Sequence, residues 1–279
     1  MKQNLMVTKV SGEKEAYSRK KLIHSLQRSG AEDEIIETNA KDVESLLYDG
    51  ISSRKIYDLA FGLLRKKQLG TAARYKLKNA MMELGPTGYP FEYFVGEVFR
   101  RKGFQVEVGQ VLQGHCVTHE VDVIATKGKD QYFIECKYYQ RTGKNANVQV
   151  PLYIRSRVDD LIKERTGKPE YEGYTFHGGI VTNTRFTNDA ISFGECTGLH
   201  LLSWDYPEGS GLKEFIDEEH IFPITALTKL STADKQRLME QGIVLCNQIL
   251  ENPQTLEKIG TDRSKLQKVM NEISSLCSQ

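Results

Sequence analysis

The fold of this chain is decided by two stretches of sequence, Glu120-Val121-Asp122-Val123-Ile124 and Tyr132-Phe133-Ile134-Glu135-Cys136-Lys137. Both are typical of β-strands, in which successive side chains point to opposite faces, so Glu135 and Lys137 share one face. The turn sequence Lys127-Gly128-Lys129-Asp130 lies between the two stretches and folds the first strand back beside the second. We therefore expect Asp122 to lie next to Glu135 on the neighbouring strand.

Two carboxylates and one ammonium in such an arrangement have a defined chemical use. Carboxylate oxygens at close range bind Mg²⁺ or Mn²⁺ and leave water positions open for a phosphate group. The metal acidifies a bound water, and a lysine can position that water or stabilise the charge that grows on the phosphate. Charged and apolar residues also alternate along any half-exposed strand, so this pattern alone leaves an ordinary structural role open.

The sequence around these strands predicts a three-layer α/β domain. Apolar residues at positions 91, 94, 95, 98 and 99 form one stripe of a helix that comes before the strands. Hydrophobic periodicity then predicts strands at 104–108, 120–126 and 131–139, a basic helix at 147–165, a strand at 179–182, a helix at 188–195 and a strand at 199–204.

Asp122, twelve intervening residues and then Glu135-x-Lys137 resemble the PD-(D/E)XK nuclease superfamily, in particular its Mrr-type restriction endonucleases. The likeness covers roughly residues 88–206 and includes several further segments in the same order. These segments are Phe91-Glu92 with Glu97, Arg100-Arg101-Lys102-Gly103-Phe104, Gln149-Val150-Pro151, Gly178-Gly179-Ile180-Val181-Thr182-Asn183, and Phe186-Thr187 with Ala190.

The resemblance implies hydrolysis of DNA phosphodiester bonds, with Asp122 and Glu135 as ligands of Mg²⁺ or Mn²⁺. It implies that Lys137 is the base that handles the attacking water and that Glu97 is an auxiliary acidic group. The chain departs from the family where His115-Cys116-Val117-Thr118-His119-Glu120 replaces the usual Gly-x-Gly-Asp-x-Gly run. That departure puts the geometry of the substrate in question. It also leaves the two histidines open as further ligands or as ordinary loop residues.

Positive charge is concentrated in particular segments, although the net charge of the chain is only +1. Residues 54–78 and 141–168 are rich in lysine and arginine, and acidic clusters at 31–49 and 205–219 offset them. Such segregation fits an anionic ligand as well as ordinary solvated helices. In the second basic segment we expect DNA contacts from Lys144, Gln149 and Arg155.

The N-terminal segment predicts a small hairpin followed by helices, the first of them capped by Ser18. Val7-x-Lys9-x-x-Gly12 followed by Tyr17-Ser18-x-x-Lys21-Leu22 resembles the ATP-cone domain that senses ATP and dATP in ribonucleotide reductases. The resemblance covers about residues 5–83. It implies that Lys9 and Lys21 face nucleotide phosphates and that Gly12 permits close approach of the backbone. The family usually has Arg-Asp where this chain has Val10-Ser11, so a degenerate cone that serves assembly is the alternative.

The run Gly85-Pro86-Thr87-Gly88-Tyr89-Pro90 predicts a domain boundary. We expect an α/β protein with three parts. These are an α+β ATP-cone-like domain at 1–85, a restriction-endonuclease-like α/β/α domain with a mixed sheet at 88–222, and a small helical region at 223–279. Leu238-x-x-x-Gly242-Ile243 and Leu256-x-x-Ile259-Gly260 loosely resemble helix-hairpin-helix modules, which place turn amides against DNA phosphates. A plain helical cap on the nuclease is the alternative.

Five scattered cysteines without a C-x-x-C pair argue against a disulfide framework or a cysteine zinc site. No apolar run is long enough for a membrane span, so we expect no membrane partner and a cytoplasmic location. The predicted function is a homo-oligomeric, metal-dependent DNA endonuclease regulated by ATP or dATP. A DNA-binding regulator that responds to nucleotides but no longer cuts, and a junction-specific nuclease, are the alternatives.

Overall fold

The computed structural model of the protein describes residues 5–9, 12–141 and 143–277 and divides the chain into two compact units. The first unit contains the described part of Met1–Lys78, the segment Ala226–Ser231 and the described part of Thr261–Gln279. The second contains Asn79–Thr225 and Thr232–Gly260. Both units therefore include part of the C-terminal region. The domain boundaries at 1–85, 88–222 and 223–279 remain predictions.

The first unit begins with the predicted hairpin and continues into helices. Strands β1 (Met6–Thr8) and β2 (Lys14–Ala16) pair antiparallel. The helices that follow are α1 (Arg19–Gln27), α2 (Asp33–Ser45), α3 (Ser53–Lys67) and α4 (Leu69–Met82), of which α4 ends in the second unit. The hydroxyl of Ser18 accepts a hydrogen bond from the Lys21 amide and caps α1, as predicted. The core of this unit includes the fully buried residues Leu26, Ala40, Val43, Ala60 and Leu64.

The second unit is built around a five-stranded mixed sheet in the order β3-β4-β5-β7-β9. The first three strands pair antiparallel and the last three parallel. Its elements are α5 (Tyr89–Arg101), β3 (Gln105–Gln113), β4 (Thr118–Lys127), β5 (Asp130–Lys137), β6 (Asn145–Ala146), α6 (Gln149–Arg165), β7 (Thr175–Thr182), β8 (Arg185–Phe186), α7 (Asn188–Cys196), β9 (His200–Leu202) and α8 (Leu212–Glu218).

Helices cover both faces of this sheet. Helix α5 approaches β3 so closely that a Cβ at Gly96 would lie 2.9 Å from a methyl group of Val108. On the opposite face, Ile154 and Val158 of α6 pack in one core cluster with Phe133 of β5. The order of elements and the mixed sheet agree with the restriction-endonuclease-like α/β fold predicted for the central segment.

The C-terminal region is helical, with α9 (Thr232–Glu240), α10 (Cys246–Glu251), α11 (Gln254–Lys258) and α12 (Arg263–Cys277). In the turn between α9 and α10, the amides of Val244 and Leu245 both donate to the side-chain oxygen of Gln248, at 2.8 Å each. The Gly242 and Ile243 amides donate to the carbonyls of Met239 and Leu238. These four amides already have acceptors, so this turn does not offer them to a phosphate as a helix-hairpin-helix module would.

Helix α12 carries a fully buried carboxylate, that of Glu272. It accepts hydrogen bonds from the amide and hydroxyl of Thr228, at 2.7 and 2.6 Å, and from the Lys229 amide, at 3.0 Å. The segment Ala226–Ser231 is thereby attached to α12 within the first unit. Among the helices that the structure describes, none has the length and apolar character needed to cross a membrane.

Candidate active site

Strands β4 and β5 separate at one end of the sheet, and Asp122 lies at the point of separation. The last paired residues of the ladder are Val123 and Ile134, so Asp122 comes directly before the paired region. Its carboxylate accepts a hydrogen bond of 2.7 Å from the Cys136 amide. The side chain thus satisfies a backbone donor that the ladder leaves unpaired, and it is held beside Glu135 as the sequence predicted.

Glu135 is buried, with 9% of the residue exposed, and its carboxylate receives three donors. One oxygen accepts from the Lys137 ammonium and from the Tyr153 hydroxyl, each at 2.6 Å. The other accepts from the guanidinium of Arg157 at 2.8 Å. Tyr153 and Arg157 lie four residues apart on one face of α6, so this helix supplies two of the three donors.

A third carboxylate, that of Glu92 in the first turn of α5, belongs to the same group. Burial, followed by the charges of Asp122, Glu120 and Glu135 in that order, raises the pKa of Glu92 to about 7. Burial, followed by the charge of Glu135, also raises the pKa of Asp122 to about 6. The hydrogen bond from Cys136 and the charges of Lys137 and Arg157 oppose that rise.

Raised pKa values on neighbouring carboxyls mean that their negative charges are held close together and are poorly solvated. A divalent cation would relieve this repulsion, and carboxylate oxygens are the donors that Mg²⁺ and Mn²⁺ prefer. The charge and chemistry of Glu92, Asp122 and Glu135 therefore fit such an ion. Within residues 5–9, 12–141 and 143–277, no group of three or more His, Cys, Asp or Glu residues already has the geometry of a metal site.

The protonation state of Lys137 determines whether it can act as the base predicted from the sequence. Burial acts to lower the pKa of this lysine, but hydrogen bonds to Glu135 and Tyr153 outweigh burial and hold the pKa above its ordinary value. An ammonium in this position is a hydrogen-bond donor and a positive charge. It has no free lone pair with which to accept a proton.

Glu97, which the sequence suggested as the auxiliary acid, is directed elsewhere. Its carboxylate pairs with Arg100 three residues along the same helix. Five residues of α-helix rotate the side-chain direction by about 140°, so Glu92 and Glu97 face different surroundings. The structure brings Glu92 to the group at Asp122 and leaves Glu97 outside it.

The three residues predicted to contact DNA occupy different positions. Lys144 is exposed, and Gln149 is exposed at the first position of α6. Arg155 is bound within the protein, since its guanidinium pairs with Asp159 and donates to the Thr197 carbonyl. Arg157, two residues later, is the arginine of α6 that reaches the carboxylate group.

Helix α6 also holds the loop between β3 and β4, where the family's glycine-rich run is missing. The Asp160 carboxylate accepts from the amides of Cys116 and Val117 and contacts His119 Nε2 at 2.8 Å. Chiefly through the contact with His119, the pKa of Asp160 lies well below its usual value. His119 is therefore bound to Asp160, and His115 is exposed.

Glu92, named from the sequence only as part of a family segment, was not predicted as a site residue, and neither were Tyr153 and Arg157, although the sequence contained signals for all three. Glu92 precedes Gly96 by four residues, and a glycine inside a helix often marks the face that packs closely on a neighbour. Tyr153 and Arg157 directly precede the buried Ile154 and Val158. They consequently lie along the edge of the apolar stripe of α6.

In the first unit, both lysines of the predicted nucleotide site converge on one carboxylate. Lys9 lies 3.3 Å and Lys21 2.8 Å from an oxygen of Glu15. Gly12 is exposed and has φ of 86°, in the left-handed region that favours glycine.

A cavity of about 220 Å³ lies beside this cluster, and its lining includes Lys21, Ser18 and Tyr57. Val10 and Ser11, where the chain departs from the ATP-cone pattern, lie outside the described residues.

Comparisons with known proteins support part of the predicted organisation. Residues 85–206 match the family model described as restriction endonuclease, and residues 222–277 match the family described as AF1548-like, C-terminal. The first match confirms the restriction endonuclease resemblance for the central segment. The second gives the C-terminal region a family likeness that the sequence reasoning did not anticipate. The comparisons provide no support for an ATP cone at the N-terminus.

Related proteins match about two thirds of the chain. An uncharacterized protein of Archaeoglobus fulgidus is 27% identical over 179 residues, which is 64% of this chain and 97% of that protein. The crystal structure of the protein of unknown function AF1548 is 26% identical, with a TM-score of 0.57, over 68% of this chain and 98% of that one. Can2 from Sulfobacillus thermosulfidooxidans, in complex with cyclic tetra-adenylate, is 13% identical over 68% of this chain and 60% of its own. Its TM-score of 0.33 is too low to support an argument.

Proposed function

We propose that this protein is a divalent-metal-dependent endodeoxyribonuclease whose cutting site lies where β4 and β5 separate. The observation that carries the proposal is the pair of carboxylates Asp122 and Glu135, held by the Cys136 amide and the Lys137 ammonium respectively. Glu92 is near enough for their charges, after burial, to raise its pKa. The restriction endonuclease match of residues 85–206 supports DNA as the substrate.

In this proposal Asp122, Glu135 and Glu92 hold Mg²⁺ or Mn²⁺. When bound, the ion would supply an acidified water and neutralise charge on the scissile phosphate. Lys137 remains protonated and donates to a phosphate oxygen, which stabilises the negative charge that develops during hydrolysis. Tyr153 and Arg157 fix the orientation of Glu135 from α6.

Lys144 and Gln149 are exposed on the second unit, and we propose that they contact the DNA backbone. Arg155 already has two partners in the protein, so its part in DNA binding would require it to leave Asp159. One such site cuts one strand. Double-strand cleavage would therefore require a homo-oligomer or two successive nicks.

The decisive experiment exploits the two glutamates of α5. Plasmid cleavage is measured with Mg²⁺ or Mn²⁺ for the wild type, Glu92→Gln and the matched control Glu97→Gln. We expect Glu92→Gln to lose on the order of 100-fold in rate, as is typical when a charged group of an active site is removed. Glu97→Gln should stay within about threefold of the wild type. Equal rates for both variants would refute the assignment of Glu92.

The same assay separates the alternative functions. DNA binding without cleavage under any metal condition would favour a regulator that no longer cuts. Cleavage of branched DNA but not of linear or plasmid DNA would favour a junction nuclease. Methylated and unmethylated plasmids are compared in parallel, because restriction-type enzymes often distinguish them.

The cavity beside Lys21 favours a second, regulatory site for ATP or dATP in the first unit. The cavity, of about 220 Å³, is open to solvent, and its lining combines Lys21 and Glu15 with hydroxyl groups, aromatic rings and aliphatic side chains. Glu15 pairs with both lysines in the present structure, Glu13 also pairs with Lys9 at 3.0 Å, and both carboxylates would compete with phosphate groups. We therefore expect Glu15→Gln to bind ATP more tightly and Lys21→Ala more weakly than the wild type. Lys20→Ala, the adjacent exposed lysine, is the control. Unchanged calorimetric affinities, or no nucleotide binding at all, would refute this site.

A further inference from the structure

A second concave surface borders the carboxylate group on the side of the segment that follows β5. It is a cleft of about 430 Å³, and its lining includes Gly88, Tyr139, Arg141 and Lys144. A Cβ at Gly88 would lie 3.1 Å from a carboxylate oxygen of Glu92, so one wall of the cleft touches the candidate active site. Tyr139 follows Lys137 by two residues, which places the opposite wall beside the lysine as well.

The positively charged side chains of this cleft are not engaged in other contacts among the described residues. Arg141 and Lys144 are both exposed, and within the described part of the chain neither forms an ion pair or a hydrogen bond through its side chain. By contrast, the cations inside the site, Lys137 and Arg157, are both bound to Glu135. Arg141 and Lys144 can therefore bind an anion beside the site without breaking a contact seen among the described residues.

The walls of the cleft are fixed in place. The Tyr139 amide donates to the side chain of the buried Asn183, whose own amide group donates back to the Tyr139 carbonyl, each at 2.9 Å. The Tyr138 hydroxyl donates to the Met82 carbonyl at 2.6 Å. The Gln140 side chain donates to the carbonyl of Pro86 and joins the two sides. A cleft whose walls are tied in this way loses little conformational entropy when a ligand binds.

We propose that this cleft binds one unpaired nucleotide of the DNA strand that is cut, next to the scissile phosphate. Arg141 and Lys144 contact its phosphate, and the base stacks on Tyr139. A concave cleft of this volume matches a single small ligand, whereas a base pair within a duplex presents no free ring face. The inference rests on the proposed nuclease function. It specifies a substrate with single-stranded character at the cut.

The test measures binding separately from cleavage. All variants carry Asp122→Asn to prevent cutting, and fluorescence anisotropy follows a labelled single strand of about 12 nucleotides and the corresponding duplex. We expect Arg141→Ala/Lys144→Ala to weaken binding of the single strand by tenfold or more, on the order of two lost phosphate contacts. The control Lys163→Ala/Lys168→Ala removes the same charge from α6 and the turn just after it. It should change binding by less than about threefold.

Variants of Tyr139 test the contribution of base stacking to single-strand binding separately from the contribution of charge. Tyr139→Phe keeps the ring and should bind the single strand as the wild type does, whereas Tyr139→Leu should bind it about tenfold more weakly. Thermal melting of each variant confirms that it is folded. If Tyr139→Leu does not fold, the comparison of the two double variants decides the matter.

Equal loss of affinity in both double variants would overturn the inference, because it would show a general effect of charge. Unchanged binding in Arg141→Ala/Lys144→Ala would overturn it as well, as would equal dependence of duplex binding on these residues. Failure of the proposed function has a different signature, namely no cleavage of any substrate by the protein with intact Asp122. The two failures are thus distinguishable.

Discussion

Arg157 donates to one carboxylate oxygen of Glu135 at 2.8 Å and, through its other terminal nitrogen, to the Glu120 carbonyl. The guanidinium therefore occupies an oxygen that a metal ion would use in the proposed site. We expect Arg157→Gln to bind Mn²⁺ about tenfold more tightly than the wild type, which corresponds to about 1.4 kcal/mol. Isothermal titration calorimetry measures this directly. Arg155→Gln, whose arginine pairs with Asp159, is the control and should leave the affinity unchanged. Weaker Mn²⁺ binding in Arg157→Gln would contradict the expectation.

The pKa of Glu92 predicts how stability depends on pH. In the folded protein the pKa is about 7, above the ordinary value of 4.5, so the folded state binds the proton more tightly than the unfolded chain. This stabilisation is fully present below pH 4.5 and is lost as the pH rises through about 7. In metal-free buffer at pH 8, Glu92→Gln should therefore raise the free energy of unfolding by about 1–2 kcal/mol, a value reduced for partial exposure.

At pH 4 the Glu92→Gln variant should have the same free energy of unfolding as the wild type, because the wild-type carboxyl is then neutral in the folded protein. Glu97→Gln should show no such dependence on pH. Chemical denaturation at the two pH values gives both comparisons, and a destabilised Glu92→Gln at pH 8 would count against the charge repulsion inferred for this site.

Lys137 offers a test between two chemical roles. If its charge is what matters, Lys137→Arg should keep activity within about tenfold of the wild type, while Lys137→Ala loses on the order of 100-fold or more. If the residue were a base, Lys137→Arg would be as inactive as Lys137→Ala, because arginine stays protonated in proteins. Initial rates of plasmid cleavage distinguish the two, and DNA-binding measurements confirm that both variants still bind substrate.

The hydrogen bonds accepted by Glu272 predict that this residue stabilises the first unit. Removing its buried carboxylate leaves three donors of Thr228 and Lys229 without an acceptor, so Glu272→Ala should lower the free energy of unfolding by about 2–4 kcal/mol. Glu257→Ala, at an exposed position, should change it by less than about 0.5 kcal/mol. Urea denaturation measures both, and equal effects would show that these hydrogen bonds contribute little.

The central fold could be predicted because its sequence patterns are local. Alternation along β4 and β5 and the short turn between them determine which residues pair, so the amino-acid pattern alone is enough to place Asp122 beside Glu135. The choice between Glu92 and Glu97 could not be made in the same way. It depends on the rotation of α5 about its axis, which is fixed by the contact of Gly96 with β3.

The difference between what local patterns determine and what tertiary packing determines also applies to the positively charged residues. Charge counting identified the basic segment that contains α6 but could not tell Arg155 from Arg157, whose partners differ although the two residues share a helix. It also gave no indication that Lys9 and Lys21 share Glu15, since that cluster forms only when the hairpin packs beside α1. Contacts of this kind depend on tertiary packing and not on residue type.

Helix α6 holds Glu135 through Tyr153 and Arg157 and holds the β3–β4 loop through Asp160. The first and last of these attachment points are seven positions apart, or about 10 Å along one helix. A small sliding or rolling of that helix would shift the loop and the carboxylate together. A molecule that binds and displaces the loop would therefore also move the Glu135 carboxylate, together with the core side chains against which α6 packs.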